Sequence, residues 1–326
     1  MDRLLYRLES YLKEQVSRRS VLKALFAGLL YALAGNKVLK NAFAKSEEST
    51  GREKKNIKCN YDLVVCKGSD SYKNIVKAVE SIGGMDRFVK KGQVVVIKPN
   101  MAWDRTPAQA ANTDPMVVAA LVNLSYKAGA KRVNVFDIPC NEDKGCYKNS
   151  GIEAAATAEG AHVFFADHWN VVKAKFSYKS EMDGWPILRD ALACDTFINV
   201  PVLKHHRLTN LTLSMKNLMG VCSGTRGIMH LNIAKNLVDV TDFINPDLTV
   251  IDATRVLINH GPSGGNTDDV VNYDRVIVAT DPTLADSFAC SVVRKDPMSV
   301  PYIKEAVSRK FGNADISKAR INEIIA

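Results

Sequence analysis

Four side chains that can carry positive charge stand side by side at Lys204, His205, His206 and Arg207, directly after the apolar run Phe197–Leu203. Adjacent cations repel one another, so such a cluster at a strand end suggests a negative or metallic guest. Lys216, Asn217, Arg226 and His230 follow in the next stretch of chain, and Lys98 and Asn100 end an earlier apolar segment, VVVIKPN. Lysines and arginines in this number suit a phosphate or a carboxylate. The ligand-binding candidates are therefore Lys98, Asn100, Lys204, Lys216, Asn217 and Arg226. For catalysis the candidates are His205, His230 and the strand-end carboxylate Asp252, with an imidazole as proton donor. For a metal they are His205, Cys222 and His230. Side chains alternate along extended chain, so His205 and His206 cannot both face one site. Nearby lysines and arginines disfavour a bare cation but tolerate an anionic cluster or a metal carried by an anionic cofactor. The competing explanation is a solvated loop whose histidines touch backbone carbonyls.

Seven cysteines stand at 59, 66, 140, 146, 194, 222 and 290, with no C-x-x-C among them, so neither a ferredoxin-type ligand run nor a zinc ribbon is present. Cys140 and Cys146 share the polar stretch CNEDKGC, where a local disulfide in an oxidising compartment competes with two free thiols. The G-x-S-x-G match at Gly261–Gly265 is followed by NTDDVV, which reads as loop then strand. A nucleophile elbow needs a helix there, so hydrolase chemistry is not supported.

The elements that must position these residues follow an α/β alternation. Strands are expected at 61–66, 93–97, 132–137, 162–166, 195–200, 248–252 and 274–279. Helices are expected at 72–81, 115–128, 150–159, 231–243, 282–293, 299–310 and 316–325. The segment 208–220 has helical spacing at Leu211, Met215 and Leu218, although Leu211, Leu213 and Met215 also alternate as in a strand. Thr113-Asp114-Pro115 is a helix opening, a capping side chain before proline in the first turn. The strands are nearly continuous in Val, Ile and Phe, as in strands buried on both faces. This predicts an α/β fold, a helix-wrapped, mostly parallel sheet. Ligands in such sheets bind beyond the carboxyl ends of the strands, where Lys98, Asn100, Asp137, Lys204–Arg207, Asp252 and Asp281 all fall. The interruption at 167–186 reads as an antiparallel excursion that could divide residues 61–326 into lobes 61–185 and 186–326.

The net charge of +9 over 326 residues is concentrated at the start, where residues 1–44 contribute +5. Without a basic stripe in the remainder, nucleic-acid binding is excluded as a leading class. Ser17-Arg18-Arg19-Ser20-Val21-Leu22-Lys23 reads as a twin-arginine motif, followed by a twelve-residue apolar run (24–35) and Ala42-Phe43-Ala44 as a cleavage pattern. The run is short of the roughly twenty residues that a membrane-crossing helix needs. Residues 1–44 are accordingly expected to be a signal read by the twin-arginine translocase, delivering the protein to the periplasm. Residues 45–60 are expected to be a solvated linker.

The ordered blocks VVVIKPN, NTDP, INVPVLKHH, LSMKNLMG, His230 and VIDA…GPSGG…DPTLAD resemble the domain of unknown function 362 family, bacterial and archaeal proteins often labelled iron–sulfur centre proteins. The resemblance runs from about residue 61 to 293. It implies an α/β fold and recurring polar positions at Lys98, Asn100, Lys204, His205, Lys216, Asn217, His230, Asp252 and Asp281. Some members carry an appended dicluster ferredoxin module, which is not read in these residues. Three functions are in view. The first is an exported redox or metallo-cofactor protein, an iron–sulfur cluster or another metal being the cofactor and a redox protein its partner. The second is a cofactor-free enzyme acting on a small anion. The third is a non-catalytic accessory protein co-exported with a redox enzyme.

Overall fold

A computed structural model describes residues 47–326, and Glu48–Ala326 form one compact unit. The signal sequence expected over 1–44 lies outside the described residues. Strands β1 (Glu48–Ser49) and β2 (Leu63–Lys67) lead to helix α1 (Ser71–Ile82), then β3 (Val94–Pro99), α2 (Pro115–Lys127) and β4 (Arg132–Val135). Next come α3 (Asp143–Asn149), α4 (Ile152–Ala158), β5 (His162–Val163), β6 (Val171–Ala174) and β7 (Pro186–Leu188). The centre holds β8 (Thr196–Val200), β9 (Val202–His206), β10 (Asn210–Thr212) and the single turn α5 (Ser214–Asn217). The chain ends with α6 (Ile233–Ile244), β11 (Leu248–Leu257), β12 (Val270–Ala279), α7 (Pro282–Val292), α8 (Pro301–Ser308) and β13 (Ile321–Ile325).

Ten strands form one sheet in the order β13-β2-β12-β11-β8-β3-β4-β5, with β9 also beside β11 and β10 beside β9. The run β11-β8-β3-β4-β5 is parallel throughout, whereas β12 lies antiparallel to both β11 and β2. The α/β fold with a mostly parallel, helix-wrapped sheet is thus as the sequence predicts. Alternation along each strand feeds two cores. Leu63, Val65, Val96, Phe197, Ile251 and Ile277 face α6, α7 and α8. Val64, Cys66, Val95, Ile97, Ile198 and Val250 face α1 to α4. The sheet continues across residue 185, since β8 pairs with β3 over five residues, and no division into lobes interrupts it.

The helix opening at Thr113-Asp114-Pro115 forms as expected, with the Asp114 side chain accepting from Met116 N. Three segments differ from expectation. Residues 316–325 were expected to be a helix, yet they end as β13, because Ile321, Ile324 and Ile325 suit a strand and the open edge of β2 offers pairing. Segment 208–220 is not one helix. Asn210–Thr212 pairs with Lys204–His206, and one helical turn follows. The 45–60 linker is not solvated over its length. Ser49 pairs with Ala174, and the Arg52 guanidinium is buried 2.6 Å from Asp247 Oδ2. Among the described residues no helix is long and apolar enough to cross a membrane.

Candidate functional site

The chain leaves β3 in one direction to build β4 and β5, then returns to the other side of β3 to lay down β8. The order of the sheet reverses between β3 and β8, and crevices of this kind, beyond the strands' carboxyl ends, are where α/β sheets bind ligands. A cleft of about 460 Å³ opens there, within the range of small-molecule sites. All six ligand-binding candidates, Lys98, Asn100, Lys204, Lys216, Asn217 and Arg226, lie in its wall, together with His230.

At its base Lys98 Nζ lies 2.6 Å from Asp137 Oδ1, with both side chains 1% exposed. Pro99 O at 2.7 Å and Asn217 Oδ1 at 3.0 Å complete the surroundings of the ammonium, while Asp137 Oδ2 accepts from Met101 N at 2.8 Å. Burial lowers the Lys98 pKa and raises that of Asp137, and their mutual attraction opposes both shifts. Gly220 covers the pair. A Cβ there would sit 1.9 Å from Asp137 Oδ1 and 2.6 Å from Lys98 Nζ, so no side chain fits. Asn217 spends its whole amide on the frame, accepting from Lys98 and Asn100 and donating to Lys98 O and Asn199 Oδ1. The turn that carries Asn217 is held in turn by Asp286 of α7, which accepts from Ser214 N and Met215 N.

Lys204 and Lys216 differ from Lys98 in having donors to spare. Lys204 Nζ donates to Ala111 O at 2.5 Å and to Asn100 Oδ1 at 3.3 Å, and stands 5.9 Å from the centroid of the Trp103 ring. Lys216 Nζ has the Met219 sulfur, at 3.0 Å, as its one hydrogen-bond acceptor among the described residues. An ammonium carries three donors, so one on Lys204 and two on Lys216 are left for a guest. Burial, with repulsion from neighbouring cations, pulls Lys204 down to about 7 and Lys216 down to about 8. An anion between them would reverse both shifts.

Two imidazoles face the cleft in complementary states. His206 Nδ1 accepts from Leu208 N and Thr209 N at 3.2 and 3.3 Å, which assigns the proton to Nε2. Burial, then the nearby lysines, push its pKa down to about 3, so the ring stays neutral and Nε2–H is a fixed donor. His230 Nδ1 lies 3.2 Å from Gly227 O and donates to it, which leaves a lone pair on Nε2. Burial and Lys216 lower its pKa as well. The cleft therefore offers one neutral N–H donor and one neutral acceptor beside two under-used ammonium groups.

Several candidates fall elsewhere. Parity along β9 sends Lys204 and His206 into the cleft and His205 to the opposite side, where its Nδ1 accepts from Gly261 N at 3.1 Å. His205 is thus corrected from catalytic and metal candidate to a residue that holds a turn. Asp252 does not reach the cleft. It accepts from Asp114 N, Thr254 N and Thr254 Oγ1, fixing the start of α2, and burial followed by Asp114 raises its pKa to about 6. Cys222 is fully buried in the apolar core and its thiol is pushed up to about 12 by burial, which rules it out as a ligand facing the cleft. Arg226 lies in the wall and gives two of its five N–H donors to Ile138 O and Pro139 O. Asp281 caps α7. Cys140 and Cys146 are both free thiols, the first at the cleft and the second on the buried face of α3, so no disulfide joins them. His206 and Asp137 are read from the sequence only as polar residues at strand ends, with no role assigned, and Gly220 and Cys140 are not read as site residues. For His206 the signal was available, since it shares the parity of Lys204.

The residues facing the cleft do not fit an iron–sulfur cluster or a metal ion held by protein alone. Among the described residues no three His, Cys, Asp or Glu side chains are grouped to hold a metal ion. The wall carries one thiol among several cations. An anionic organic molecule suits this donor set, and a metal carried on one would find a single imidazole nitrogen at His230.

The profile of the family described as Domain of unknown function (DUF362) matches residues 95–291. The thylakoid-associated protein sll1697 of Synechocystis sp. (strain ATCC 27184 / PCC 6803 / Kazusa) is 27% identical over 234 residues, covering 68% of this chain and 70% of that protein. Among solved structures, the lactate racemase apoprotein from Thermoanaerobacterium thermosaccharolyticum aligns with a TM-score of 0.45 at 12% identity, over 74% of this chain and 58% of that one. A protein from Thermotoga maritima aligns with a TM-score of 0.36 at 12% identity, over 70% of this chain and 60% of that one. This chain thus spans less than two thirds of the length of either solved structure.

Proposed function

The chain belongs to the domain-of-unknown-function family DUF362, and from that premise we propose that its cleft binds a small anion bearing a carboxylate or phosphate group. Lys204 and Lys216 are the charge partners, His206 Nε2–H the neutral donor and His230 Nε2 the proton acceptor. One observation carries this reading: the buried Lys204 and the half-buried Lys216, both with unspent donors, share a concave wall at the sheet's switch point. Two neutral imidazoles of opposite tautomer, one giving and one taking a proton, suit acid–base chemistry on the guest. The test is sulfate binding by calorimetry and by thermal shift. Lys204→Met and Lys216→Met each abolish the stabilisation that excess sulfate gives the wild type. Unchanged stabilisation in both variants rejects the reading.

A second reading keeps a redox role, in which the anion is an organic cofactor carrying a metal, with His230 Nε2 as the one protein ligand. Protein purified anaerobically from cytoplasm would then contain stoichiometric metal and absorb visible light, whereas colourless, metal-free and fully active protein removes this reading. Export through the twin-arginine translocase to the periplasm is proposed on Ser17–Lys23. Replacing Arg18 and Arg19 by lysine would leave the protein in the cytoplasm, and continued export would refute the assignment. A redox partner would appear as a stable co-purifying protein.

A further inference from the structure

Cys140 plays no part in the anion-binding scheme above, yet it is the one exposed thiol of the seven. It lies in the cleft wall, on the loop that follows β4. That loop is held firmly. Arg226 donates to Ile138 O and Pro139 O at 2.8 and 2.5 Å, Ile138 N donates to Gly220 O at 3.0 Å, and Cys140 N donates to Ala102 O at 2.8 Å. Cys140, Lys204 and Lys216 line one and the same cleft, so the thiol shares its wall with the two ammonium groups that keep unspent donors. Thiols that serve as nucleophiles sit in partly exposed, electropositive surroundings of this kind. The other cysteines are buried or half-buried, and burial raises the pKa of each.

We propose that Cys140 is the nucleophile of this cleft, attacking an electrophilic carbon in an anion that Lys204 and Lys216 hold in place. The proposal rests on the anion-binding reading and adds the substrate class, a carboxylate or phosphate ester that also bears an aldehyde. The sulfur bonds to the carbonyl carbon, and the π pair of the C=O bond moves to oxygen. The proton given up by the thiol ends on that oxygen, giving a hemithioacetal with no other reactant consumed. Arg226 acts as a positioning residue, fixing the two peptide carbonyls immediately before the thiol.

Iodoacetate and iodoacetamide test this on the full chain. With either reagent the sulfur–carbon bond forms as iodide leaves, and only the charge of the reagent differs. Alkylation at each cysteine is followed by peptide mass mapping, with N-acetylcysteine as reference. A cationic cleft raises the local concentration of an anion tenfold or more. The ratio of iodoacetate to iodoacetamide rates at Cys140 should therefore exceed the reference ratio by about tenfold. Sulfate should slow the iodoacetate reaction more than chloride at matched ionic strength, and Lys204→Met with Lys216→Met should return the ratio to the reference. The sulfate competition needs no variant and stands even if the double variant does not fold. A ratio equal to that of N-acetylcysteine, or first alkylation at another cysteine, overturns the proposal. If sulfate still stabilises the protein through the lysines in that case, the covalent role falls and the anion site remains. If sulfate binding is also missing, both fall.

Discussion

Raising the pH from 6 to 9 should strip the cleft of its affinity for sulfate. Sulfate is a dianion across this range, so every change belongs to the protein. In the free protein Lys204 ionises at about 7 and Lys216 at about 8, both lowered first by burial. At pH 6 each is protonated in roughly nine molecules of ten or more, whereas at pH 9 the fractions are about 1% and about 10%. If binding requires both charges, affinity falls about a thousandfold over these three pH units. If Lys216 alone matters, the fall is about tenfold. The sign follows from linkage. Bound sulfate raises both pKa values, so binding takes up protons where the free lysines are neutral, and affinity is greatest below the free values and lost above them. Calorimetry at pH 8 in two buffers of different ionisation enthalpy would read between one and two protons taken up per sulfate. An affinity that is flat from pH 6 to 9, with no proton uptake, would refute the reasoning, because the lysines would then already carry full charge without a guest.

Other perturbations separate frame from site. Gly220→Ala drives a methyl group against the Lys98–Asp137 pair, and disrupting a buried ion pair costs about 3–5 kcal/mol, readable by urea unfolding. A loss below about 1 kcal/mol would show that the pair can move aside. His205→Gln should leave sulfate affinity unchanged, while His206→Gln weakens it, since only His206 faces the cleft; the reverse order would mean that the parity of β9 is misassigned. Burial raises Asp286 from 3.8 to about 7, so between those values the folded state holds a proton that the unfolded state has lost. Stability should therefore fall as pH climbs from about 4 to about 7, with Asp252, raised to about 6, contributing in the same direction. Asp286→Asn should flatten most of that slope in urea titrations, and a slope unchanged by the substitution would contradict the assignment.

Local patterns carried much of the architecture. Apolar runs at Val94–Ile97, Thr196–Val200 and Leu248–Asp252 read as strands because a strand buried on both faces has little room for polar side chains. Asp114 before Pro115 read as a helix start because both act within their own turn. The cations that line the cleft were legible as well, since strand-end polar residues converge wherever parallel strands share a direction. Where the reading failed, strand pairing decided, with a remote partner in one case and the neighbouring strand in the other. Ile321–Ile325 became a strand because β2 presented an open edge, and Asn210–Thr212 because β9 did. Helical spacing and strand alternation coexist in such short apolar stretches, and only pairing chooses between them.

The sequence by itself determined the α/β alternation, the placing of Lys98, Asn100, Lys204 and Lys216 at chain positions that end or follow strands, and the rule that only one histidine of the pair at 205 and 206 can share a face with Lys204. The tertiary structure decided the rest: that His206 shares the cleft with Lys204, that Cys222 is sealed in the core, that Asp252 serves the start of α2, and that Lys98 is spent on Asp137 while Lys204 and Lys216 are not. The physical reason is range. Strand and helix patterns come from forces acting over a few residues, whereas the reactivity of a buried charge depends on which remote oxygens and cations folding brings within hydrogen-bond or Coulomb reach.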